Sequence, residues 1–280
     1  MLVNTTCIII YYLSMLRQFS TPFLNYKYLL SQLILREIKA RYKQSILGYG
    51  WIIFNPLIQL LVYSFVFSVI FKFPTDNIPY PIFLFIGLLP WIYLQTSLSS
   101  SALVLVDNAN LLKKVNFPRE VLPYSVICAK SVDLFFSSLL LFFFFIFYNV
   151  SYSYNLSVSL NIFYIIPFLI LQIILISGLS LLLSAANLFY RDIQYVTNLM
   201  LLMWMYLTPV VYPISLVPQN HLWLYRLNPM VGIIEGYRSA VFNSPFDISA
   251  TLISIVISIA VFLIGFFIFK RSEKVFADIV

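Results

Sequence analysis

Arg36, Lys39, Arg41 and Lys43 lie together in the stretch REIKARYK. Cations so closely set suit the neutralisation of phosphate oxygens, and the planar forks of Arg36 and Arg41 can each hold two of them. Two mixed pairs follow along the chain, Lys130 with Asp133 and Glu235 with Arg238. Residues three apart share a helix face, so each pair can close on itself. Lys130 and Asp133 stand in an apolar run, where a charge at bilayer depth must face protein or water. They either tune a polar channel wall or mark the end of a span that begins late. The seven glycines (48, 50, 87, 178, 232, 236, 265) form no G-x-x-x-x-G-K-[ST] loop, so ATP is not hydrolysed by that route. One histidine, His221, and two cysteines, Cys7 and Cys128, provide neither a histidine-rich metal site nor a disulfide framework. No catalytic residue and no metal ligand is assigned.

These groups must be held by elements suited to lipid. Of 280 residues, 61% are hydrophobic and 10% charged, with a mean hydropathy of +0.94. A soluble domain carries about a quarter charged residues, so this chain cannot cover a water-facing surface. The net charge of +7 is scattered between apolar runs rather than gathered on a soluble face, which argues against a nucleic-acid partner.

A helix needs about 20 apolar residues to cross hydrocarbon. Six stretches qualify, at about 49–71, 81–106, 125–148, 162–186, 195–211 and 248–269. The fold expected is all-α and polytopic, six transmembrane helices in one domain over residues 22–272. Residues 1–21 are read as a disordered N-terminal extension and 273–280 as a tail. Cations crowd before the first span, between the second and third (Lys113, Lys114, Arg119), after the fourth (Arg191) and after the sixth (Lys270, Arg271, Lys274). The alternate loops are nearly empty of them apart from the segment 212–247, which places both termini in the cytoplasm by the positive-inside rule.

That segment is too apolar for a simple loop and is cut by Pro213, Pro218, Pro229 and Pro245. It is read as short re-entrant helices forming an outer gate around Asn228, Pro229, Glu235 and Arg238. The plainer reading is a hairpin lying on the outer surface. Re-entry is tolerated where the segment packs on protein or lines a cavity.

Over residues 30–43, projected at about 100° per residue, Leu30, Ile34, Leu35, Ile38 and Tyr42 share a broad apolar face. Gln32, Arg36, Lys39 and Lys43 fall opposite, and Arg41 breaks the pattern by landing near the apolar side. The result is an amphipathic helix at the membrane interface. Its collar of cations either anchors on anionic headgroups or receives a phosphate-bearing lipid.

Five fragments occur in order: LREIKARYKQSILGYGWIIFNPL, LLPWIYLQTSLSSSALVLVDNANLLKKVNFPREVLP, SAANLFYRDI, TPVVYP and LNPMVGIIEGYRSAVF. Together they resemble the membrane subunit of type-2 ABC exporters of polysaccharides, the group of O-antigen, capsule and teichoic-acid permeases. The resemblance covers residues 22–272. It implies a homodimer in the bacterial cytoplasmic (inner) membrane, standing on a dimer of ABC ATPase subunits that bind ATP and Mg. It implies no cofactor in this chain and a lipid-linked glycan as substrate, among membrane lipids.

The resemblance also implies a coupling helix, placed here at Asn110, Leu111, Leu112, Lys113, Lys114, Phe117, Pro118, Arg119 and Glu120. The residues themselves suit a short amphipathic plug. Asn108 or Asn110 can cap it, Leu111 and Leu112 form an apolar knob, and Pro118 stops the helix. Such a plug fits a groove on a partner. An ordinary basic loop is the plainer reading. Arg191 and Asp192 would make a smaller second contact.

A sugar chain could slide along aromatic rings, for which Trp51, Tyr63, Trp91, Tyr93, Trp204 and Tyr206 are candidates near span ends. Tyr and Trp gather at membrane interfaces in any case. Three other functions stay open at this point: export of a small lipid or drug, an ion-coupled flippase relaying through Lys130, Asp133, Glu235 and Arg238, and a scaffold for glycan enzymes.

Overall fold

The structure is a computed structural model that describes residues 26–42, 45–71, 78–152 and 160–279. The expected extension 1–21, Cys7, Lys43 and Lys72 lie outside the described residues. Among the described residues the fold is all-helical, without strands. The α-helices are α1 (Lys27–Tyr42), α2 (Trp51–Ser64), α3 (Tyr80–Asp107), α4 (Ala109–Lys114), α5 (Val121–Tyr152) and α6 (Ile165–Phe189). They continue as α7 (Ile193–Tyr206), α8 (Leu222–Arg226), α9 (Pro229–Phe242), α10 (Ile248–Ser272) and α11 (Phe276–Ile279).

Five helical runs are long and apolar enough to cross a membrane: Gly48–Ile70, Tyr80–Asp107, Val121–Val150, Leu160–Phe189 and Ile248–Val275. The sixth apolar helix, α7, has 14 residues, or about 21 Å at 1.5 Å per residue. That is short of a hydrocarbon core of about 30 Å. The expected span at 195–211 thus ends early, at Tyr206. Two local features fit this ending. Pro209 has no N–H to carry the helix on, and Thr208 turns its hydroxyl back to the Trp204 carbonyl at 2.8 Å.

The central element is α3. In its most apolar window 78% of residues are buried, against 17% in the first run and 11% in the run at 121–150. It packs against α2, α5, α6, α7 and α9. The outer faces of the first run and of α5 carry exposed Phe54, Phe65, Phe135, Phe142 and Phe143, as side chains facing lipid do. α6 packs along α10, and glycines let their backbones touch. A Cβ on Gly265 would sit 2.2 Å from the Gly178 carbonyl oxygen, and one on Gly178 would sit 2.5 Å from Phe262 Cα. Small residues at such crossings are how membrane helices gain packing without a hydrophobic drive.

α1 packs on α5. Its inward stripe runs through Leu30, Leu33, Ile34, Glu37, Ile38 and Arg41, the spacing of one helix face. Leu35, placed on the apolar face by projection, points outward and is 47% exposed. Glu37 and Arg41 are on the inward side instead.

Candidate functional site

One end of the molecule gathers α1, α4, the start of α5 and the close of α10. Here Arg36 donates to the Asn108 side-chain oxygen. Asn108 occupies the cap position of α4 but does not cap it. Its amide group instead reaches the Val104 carbonyl at 2.7 Å. The expected Asn108 cap is therefore replaced by a clamp tying α1 to the α3–α4 junction. α4 ends at Lys114 with Val115 extended, so Pro118 does not stop it. Pro118 instead opens the turn into α5, its carbonyl accepting from Val121 N at 3.2 Å.

The apolar knob also faces inward. Leu112 is 3% exposed and Phe117 6%, both part of the main core, with Leu111 packed beside them. What α4 and its exit offer outward is Asn110, Lys113, Lys114, Val115 and Asn116, all exposed.

Arg119 and Glu120 face the other way. The Arg119 amide donates to Glu273 Oε1 at 3.0 Å, and its guanidinium donates to the Glu273 carbonyl. Glu120 is buried and pairs with Lys270 at 2.7 Å, while Lys270 also holds Glu273 at 3.0 Å. Burial pushes the Glu120 carboxyl up from its ordinary value; Lys270 opposes the shift and Glu273 adds to it. Sequence reasoning missed this link, because 150 residues separate its halves (270 − 120). The one available signal was the pair of unlike charges at two predicted helix ends. Arg191 and Asp192 are exposed in the turn before α7.

Deeper at this end, Arg41 reaches Asp133 of α5 and lies 3.5 Å from Glu37. Asp133 therefore pairs with Arg41 rather than with Lys130. Lys39 is exposed. A cavity of about 370 Å³ opens beside this pair, walled by α1, α2, α3 and α5 and lined in part by Trp51, Tyr93 and Lys130.

The opposite end is organised round Arg238, which is 3% exposed. Its guanidinium holds Glu235 at 2.7 Å and donates to the Pro209 and Val210 carbonyls at 2.6 and 2.8 Å. It also lies 3.8 Å from the Phe83 ring centroid, a cation–π placement. Gly87 makes room for it, since a Cβ there would meet Arg238 Nη2 at 2.8 Å. Asn228 caps α9 by accepting from Met230 N at 3.0 Å, and Pro229 fills the first helical position. The same Asn228 accepts from the Trp204 indole at 2.9 Å and donates to the Thr208 hydroxyl at 2.8 Å. Of the four expected gate residues, Asn228 and Arg238 thus bond the turn that ends α7, Glu235 holds Arg238, and Pro229 opens α9. Tyr80 closes the knot by donating to the Val211 carbonyl at 2.6 Å.

The candidate aromatics separate. Trp91 is buried and packs edge-on against Trp204 at 5.9 Å. Trp51 and Tyr93 share the cavity at the other end. Tyr206 is exposed and Tyr63 half-buried. A buried polar chain also links α3, α6 and α9. Tyr237 donates to Gln172 at 2.9 Å, and Gln172 donates to the Pro90 carbonyl at 2.7 Å.

Residues 28–242 match the family described as ABC-2 type transporter. The O-antigen export system permease protein RfbA of Myxococcus xanthus is 31% identical over 259 residues, covering 91% of this chain and 96% of that protein. A protein of the same name from Klebsiella pneumoniae is 30% identical, covering 91% and 97%. The polysialic acid transport protein KpsM of Escherichia coli is 26% identical over 212 residues, covering 75% and 79%.

Proposed function

The chain belongs to the ABC-2 type transporter family, and from that premise we propose that it is the membrane permease subunit of an ATP-driven exporter. The cargo is a lipid-linked polysaccharide of O-antigen or capsule type, moved outward across the bacterial cytoplasmic membrane. The observation that carries this reading is the identity of about three residues in ten with O-antigen export permeases across nine-tenths of the chain. In this reading ATP and Mg belong to a separate ATPase dimer, as the resemblance implies; these 280 residues hold no G-x-x-x-x-G-K-[ST] loop. Two copies of this chain stand on that dimer, each with both termini cytoplasmic, five full-length crossings and a sixth passage made by the short α7 together with the segment that follows it.

In this reading the basic end faces the ATPase. The exposed cations Lys113 and Lys114 and their neighbours make the contact. Motion of α4 is passed to α1 through Arg36–Asn108, and motion of the 119–120 turn is passed to α10 through Glu120–Lys270 and Arg119–Glu273. The Arg238 knot then closes the outer end.

Deleting the gene and restoring it on a plasmid tests the reading. Loss of surface glycan, with lipid-linked glycan accumulating inside and recovery on complementation, is the result expected. Recovery must also require the ATPase and fail on ATP depletion. Export that ignores ATP but collapses with a protonophore would establish an ion-coupled flippase instead.

A further inference from the structure

Beyond Ser272 the chain turns back at the basic end. It passes through Glu273–Val275 and runs on as α11, which packs against α4 and against α6. α11 has four residues and α4 has six. Isolated helices shorter than about 12–15 residues are marginal in water. Each of these two is therefore kept in place by the side chains that pin it to longer elements.

On the α11 side the pin is one aromatic ring. Phe276 is 0% exposed. Its ring stands edge-on to Phe269 of α10 at 5.2 Å and to Phe189, the last residue of α6, at 6.3 Å. Val275 and Ile279 are 44% and 38% exposed. The segment is thus seated through Phe276 and not through a general apolar face.

The turn before α11 is tied to the loop that leaves α4. The Glu273 carbonyl accepts from the Phe276 amide, which closes the turn, and also from the Arg119 guanidinium. The Glu273 side chain accepts from the Arg119 amide at 3.0 Å and pairs with Lys270 at 3.0 Å. Seating Phe276 therefore fixes the carbonyl that holds Arg119. Phe276 meets the ends of α6 and α10 together, and those helices touch backbone to backbone at Gly178 and Gly265. A push on α4 reaches a rigid pair only as far as this attachment is stiff.

We propose that the segment 273–279 is a strap, seated by Phe276 between the ends of α6 and α10, that holds α4 and its exit loop against those helices. Phe276 is a positioning residue: it touches no ATP and no cargo, and acts through α4. The strap itself stands on these contacts alone. Its service to coupling between ATP hydrolysis and transport rests on the export reading above.

The first test is amide hydrogen exchange on the full-length protein in a neutral maltoside detergent, without the ATPase. The Leu112 and Val115 amides donate to the Asn108 and Leu111 carbonyls, each at 3.1 Å, and report on α4. Phe276→Ala should speed their exchange by about tenfold or more while leaving the α6–α10 crossing at Gly178 and Gly265 as protected as in wild type. Phe276→Leu, which refills the seat with apolar volume, should restore most of the protection. A ring needed only for overall stability would loosen both places together, and that result overturns the strap. Glu273→Ala leaves the core intact and covers the case in which Phe276→Ala does not fold; it should loosen α4 in the same direction. Wild-type exchange at 112 and 115 in folded Phe276→Ala, or in Glu273→Ala, also overturns the strap. The second test uses the complex with its ATPase. Phe276→Ala should go on hydrolysing ATP, with glycan exported per ATP reduced by about fivefold. An unchanged ratio overturns the coupling role. A wild-type complex that exports no glycan overturns the export reading instead and leaves the exchange result standing.

Discussion

The two ends of the molecule treat charge in opposite ways. At one end a single cation, Arg238, is sealed in and met by a carboxylate, two backbone carbonyls and an aromatic face. At the other end cations are many and only partly used: Arg41 shares its charge, Lys130 meets no acceptor among the described residues, and Lys113 and Lys114 are exposed. A buried cation held by a carboxylate, two carbonyls and a ring, with only its Nε left unbonded, locks one arrangement of its neighbours. Unused donors and exposed cations leave room for something from outside the chain. The contrast teaches that the two ends hold their charge differently, and under the function proposed above the Arg238 knot serves closure while the basic end serves the partner.

The largest effect is expected at the knot. Arg238→Met leaves Glu235 without its partner and two carbonyls without their donor. Breaking a buried pair from one side costs about 3–5 kcal/mol. A marked fall in the thermal midpoint of the detergent-solubilised protein would show it, whereas a midpoint near wild type would mean that the guanidinium does not hold the turn.

Within the basic end the inner and outer faces of α4 should part company. Leu112→Ala removes a core side chain and should cost about 2–5 kcal/mol. Lys113→Glu with Lys114→Glu changes only exposed positions and should alter stability by less than about 0.5 kcal/mol. The double charge reversal should nevertheless abolish co-purification of the ATPase. Unfolding by the charge reversal, or tolerance of Leu112→Ala, would erase the distinction between the two faces.

The smallest effect concerns pH. Burial raises the Asp247 carboxyl, but the Ser249 hydroxyl, the Ala250 amide and Arg226 outweigh it and hold the group below its ordinary value. A carboxyl depressed on folding stabilises fully above its unfolded value, about 3.9, and that contribution is lost as pH falls below it through the folded value. Asp247→Asn should therefore flatten the acid limb of the stability curve slightly and leave neutral pH little changed. Unfolding midpoints recorded from about pH 6 to about pH 3 decide this, and an acid limb identical to wild type would rule the group out.

Much of this architecture was legible in the residues. The all-helical, lipid-facing class followed from apolar runs of membrane length, and the family from five ordered fragments. Charge positions at the re-entrant segment singled out Glu235 and Arg238, whose short spacing makes pairing a local matter. What stayed hidden was long-range. Nothing in the local pattern shows that Arg36 will find Asn108, that Glu120 will find Lys270, or that Asp133 will choose Arg41 over Lys130. One clue was present in each of two places. Arg41 fell on the wrong side of its helix, and the structure sends it inward to Asp133. Lys130 stood as an unexplained charge in an apolar run, and it lines the cavity. The inward turn of Leu112 and Phe117 was not legible, because an apolar pair on a short helix reads the same whether it meets the chain's own core or a partner.

The central claim is that the basic end carries the ATPase and the Arg238 end does not. Site-directed crosslinking tests it most directly, with Cys7 and Cys128 replaced by serine and one new cysteine at a time, Lys114→Cys or Asn243→Cys. Both positions are exposed. The account predicts an adduct with the ATPase from position 114 and none from 243. An adduct from 243, or none from 114 in a complex that still hydrolyses ATP, would contradict it.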